Sequence, residues 1–103
     1  MPPTLSANTQ SLVEKIFDEN QVGEATQWLE DECGNNLPGC RDYDEHQIER
    51  IRFAVLKLSE GTIHKLLRAI DLARTDWRDL LMVADFGTDV GAHTRWAEDF
   101  LKK

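Results

Sequence analysis

Apolar positions recur along most of this chain at intervals of three and four, the spacing of one helix face, and no stretch alternates with the period of a strand. The clearest case is 48–58. There Ile48, Ile51, Ala54, Val55 and Leu58 form one broad stripe, and Phe53 and Leu56 form a second apolar patch elsewhere on the wheel. A helix apolar on two sides needs neighbours on two sides. The segment is therefore expected at the centre of a bundle, as a helix of about 44–60 that Asp44 and Gln47 cap and Gly61 ends.

The flanking segments supply the neighbours. Residues 1–9, with Pro2 and Pro3, read as a loose lead-in, and Ser11 with Glu14 matches a capping box that would start a first helix. Leu12, Val13, Ile16 and Phe17 are its apolar face, and it fades at Asn20. Gly23 is expected to divide it from a second helix with Ala25, Trp28, Leu29 and Cys33 inward. Glu30, Asp31 and Glu32 then fall in that helix's last turn, where negative charge opposes the dipole, so a cation from elsewhere, such as a central arginine, is expected nearby. Glycine, asparagine and proline make 34–41 a loop.

After the central helix the chain turns at Glu60 and Gly61, a link short enough to make the next helix an antiparallel neighbour. Thr62 caps that helix, with Ile63, Leu66, Leu67, Ile70 and Ala73 inward. Thr75 is expected to cap a further helix, 76–86, ended by Gly87. Thr88 or Asp89 starts the last helix, whose stripe is Val90, His93, Trp96, Ala97, Phe100 and Leu101. The fold class is all-α: one compact domain over 1–103, with five to six short helices.

Length and composition agree with this. At 103 residues, 41% hydrophobic and 30% charged, the chain can bury a core without disulfides or a metal. The net charge of −7 is uneven: −6 over 1–40, +1 over 41–74 and −2 over 75–103. An acidic chain repels phosphate, which argues against nucleic acid as a partner and against a DNA-binding helix-turn-helix protein. The asymmetry reads as an acidic N-terminal third packed against the basic central helix. Its alternative is that Arg50, Arg52 and Lys57 attract an acidic partner. No apolar run is long enough for a membrane span, and the N-terminus lacks the pattern of a signal peptide, so a cytoplasmic protein with reduced Cys33 and Cys40 is expected.

Candidate chemistry is sparse. Cys33, Cys40 and His46 do not have the spacing of a zinc motif. No serine or cysteine has the setting of a nucleophile, and Gly87 and Gly91 are too sparse for a phosphate loop, so no catalytic residue, cofactor or metal is assigned. Asn35 and Asn36 offer donors and acceptors beside a helix end, though asparagines there also close turns through their own backbone. In 76–86, Trp77, Leu80, Leu81 and Ala84 form one face and Met82 and Phe86 lie nearly opposite, with Val83 between, so the helix is either sandwiched in the core, the preferred reading, or lends its second face to another subunit. Arg78 and Asp85 share the narrow polar strip, seven residues apart. His93 interrupts an apolar stripe, which suits a core histidine better than a general base near Asp85 or Asp89.

Three segments, 32–38 (ECGNNLP), 49–61 (ERIRFAVLKLSEG) and 76–86 (DWRDLLMVADF), resemble a family of small uncharacterised bacterial proteins. The resemblance implies a free-standing one-domain bacterial protein and no activity. The sequence thus points to a small protein-interaction or regulatory module, with another protein or a second copy as partner through the face of Met82 and Phe86. The other reading is a small-molecule-binding protein or minor hydrolase with a pocket of Asn35, Asn36, Arg78, Asp85 and His93.

Overall fold

A computed structural model describes residues 5–33, 45–87 and 91–102. These residues form five α-helices: α1 (Ala7–Ile16), α2 (Glu19–Glu32), α3 (Glu45–Ser59), α4 (Ile63–Val83) and α5 (Ala92–Lys102). The all-α bundle expected from the apolar spacing is what the chain forms.

Helix α3 is its centre, packed against α1, α4 and α5. Ile51, Ala54 and Val55 from its main stripe are fully buried, and so are Phe53 and Leu56 from its second patch. A helix enclosed in this way has little solvent face left for its cations. Arg50 and Arg52 are themselves buried, and the reading that Arg50, Arg52 and Lys57 draw in an acidic partner is replaced by an internal role. Arg52 Nε donates to Cys33 O at 2.8 Å and its Nη2 to Leu29 O at 3.4 Å, both at the end of α2. Arg50 Nη2 donates to Phe86 O, and Lys57 Nζ donates to Ala84 O at 2.8 Å, both just past the end of α4. Neither α2 nor α4 has a basic residue in its last turn. Helix α3 supplies the missing positive charge to both, and the cation expected beside 30–32 is Arg52, joined by Arg74, which pairs with Glu32 at 3.4 Å.

Several expected boundaries move. Residues 1–9 are not simply a lead-in, because α1 begins at Ala7. Its N-cap is Ser6, whose Oγ accepts from the Thr9 amide at 3.2 Å and also donates to the Glu49 carboxylate of α3. Ser11 lies inside the helix, since the nearer cap also ties the segment to α3. Helix α1 ends at Ile16, Phe17 turns in to the core, and Asp18 stands at the start of α2. Gly23 does not divide two helices; it lies exposed within α2, where a Cβ would meet nothing within 4 Å. Gly61 does end α3: its φ is +82°, and a Cβ there would come to 2.8 Å from the Ile16 carbonyl oxygen.

The two helices expected over 62–75 and 76–86 are the two arms of α4, broken at Asp76 (φ −160°, ψ 98°). Thr62 caps the first arm, as expected, by accepting from the Lys65 amide. The cap of the second arm is Asp76 and not Thr75: Asp76 Oδ1 accepts from the Arg78 amide at 3.0 Å, whereas the Thr75 hydroxyl donates back to Asp71 O. The break redirects the chain. The second arm, 77–83, ends beside Lys57 and Arg50, which lie two turns apart on α3.

Candidate interaction surface

The end of the second arm decides what this region presents. The arm stops at Val83, short of the expected Phe86, and the left-handed residue that ends it is Asp85 (φ +68°), two positions before Gly87. The Phe86 amide donates to Leu81 O at 2.8 Å and the Asp85 amide to Met82 O at 3.1 Å, the paired bonds of a Schellman turn. That turn swings Phe86 inward, where it is 2% exposed. The face expected to carry Met82 and Phe86 together therefore does not exist. Phe86 belongs to the core, and Met82 stands outside it with Val83.

Met82 and Val83, 61% and 63% exposed, are the large hydrophobic side chains left in solvent among the described residues. Leu80 and Leu81, beside them in sequence, are buried, so the arm is anchored by one face and open on the other. Arg78 and Asp79, one turn earlier, are exposed on that open face, as is Asp85 beyond it. Arg78 pairs loosely with Asp76 at 3.6 Å and lies over the half-buried Trp77 ring, 5.9 Å from its centroid. Gly87 leaves room for Met82: a Cβ at Gly87 would collide with the Met82 sulfur.

Of the remaining sequence candidates, the one among the described residues, His93, is not on this face. His93 is fully buried, with Phe53 edge-on at 5.4 Å and Phe86 at 6.3 Å. Trp96 packs on both phenylalanines, and Lys57 Nζ sits 5.0 Å above the Phe86 ring. This aromatic cluster fastens α5 to α3 and to the end of α4, and the histidine is buried within it, whereas Arg78 and Asp85 are exposed. Asn35 and Asn36 lie outside the described residues, as do Cys40, Asp44, Asp89 and Val90.

An open groove of about 550 Å³ runs along the first arm of α4, lined by Leu58, Lys65, Arg68, Ala69, Asp71, Leu72 and Thr75. Among the described residues, none of the sequence candidates lines it. Among the described residues, no helix is long and apolar enough to cross a membrane.

Sequence reasoning placed Val83 between Met82 and Phe86 and gave Asp79 to the N-terminal end of the helix, without putting either among the candidate site residues. It took Gly87 as the helix end, and a Schellman turn built on aspartate carries no glycine to betray it. Comparison with protein-family models, curated proteins and solved structures gives no match to this chain.

Proposed function

We propose that this protein is a small cytoplasmic interaction or regulatory module that makes its contact through the open face of the second arm of α4. One observation carries the reading: Met82 and Val83 stand side by side in solvent at 61% and 63% exposure, while their neighbours Leu80 and Leu81 are buried. An apolar pair with a charged rim of Arg78, Asp79 and Asp85 has the make-up of a contact surface, dry at the centre and polar at the edge. The reading takes the chain as a free-standing bacterial protein, as the resemblance of its three segments implies. It assigns no catalysis. The pocket imagined for a minor hydrolase would draw on His93, which is enclosed by aromatic rings, and on Arg78 and Asp85, which are in solvent.

The test is Met82→Glu. The side chain is exposed, so unfolding should shift by no more than about 0.5 kcal/mol. Association with a partner or with itself, followed by light scattering and by binding titration, should be lost. A variant that keeps both its fold and its association would remove this face from consideration.

A further inference from the structure

We draw no further inference here: the strongest candidate, the open groove along the first arm of α4 between Leu58, Ala69 and Leu72, carries charge of both signs in Lys65, Arg68 and Asp71, and nothing in the structure shows what fills it.

Discussion

Gly23 shows how a residue's meaning depends on what surrounds it. In the sequence it reads as a break, yet α2 runs through it, exposed, with open space where a Cβ would stand. A glycine in that setting costs the helix backbone entropy and gives nothing in exchange. Gly23→Ala should therefore stabilise the protein by about 0.5–1 kcal/mol, seen as a higher urea midpoint with an unchanged slope. Gly61 is the opposite case. Its positive φ and its approach to the Ile16 carbonyl both require the missing side chain. Both glycines look alike as letters, and only the packing of α1 against the turn separates them.

At the scale of elements, the fold is a matter of who caps whom. Lys15 of α1 donates to Leu101 O at the end of α5, and the cations of α3 serve the ends of α2 and α4. Arg52 carries the most, because it is 3% exposed and its two carbonyl partners would be left without it. Arg52→Leu should cost about 2–3 kcal/mol in urea unfolding, and Lys57→Met, at a half-buried site with one such bond, about 1 kcal/mol. This dependence was partly legible. The acidic last turn of α2 asked for a cation, and the central arginines were the candidates; Arg52 answers at the carbonyls, while Arg74, which pairs with Glu32, was not foreseen. The caps were less legible. Ser6 won over Ser11 because it also serves Glu49 of α3, a contact that is not written in local sequence, and Asp76 won over Thr75 because the Thr75 hydroxyl is turned back to Asp71 O while the Asp76 carboxylate accepts from the Arg78 amide. The inward stripes of α1, α2 and α3 were legible because burial follows helical spacing. The open face at Met82 was legible only by half, because whether Phe86 joins it depends on one left-handed residue.

For the whole molecule, what folds the chain is separate from what the chain presents. Helix α3 and the aromatic cluster of Phe53, Phe86, His93 and Trp96 hold the bundle, and the second arm of α4 stands on that base with Met82 and Val83 outward. Urea unfolding and sedimentation velocity of wild type and Met82→Glu measure the two separately. Met82→Glu should unfold within about 0.5 kcal/mol of wild type, because its side chain is in solvent. It should lose the association, with itself or with another protein, that the wild type makes through this face. A Met82→Glu variant that folds as wild type and keeps that association would contradict the assignment of the contact to the second arm of α4.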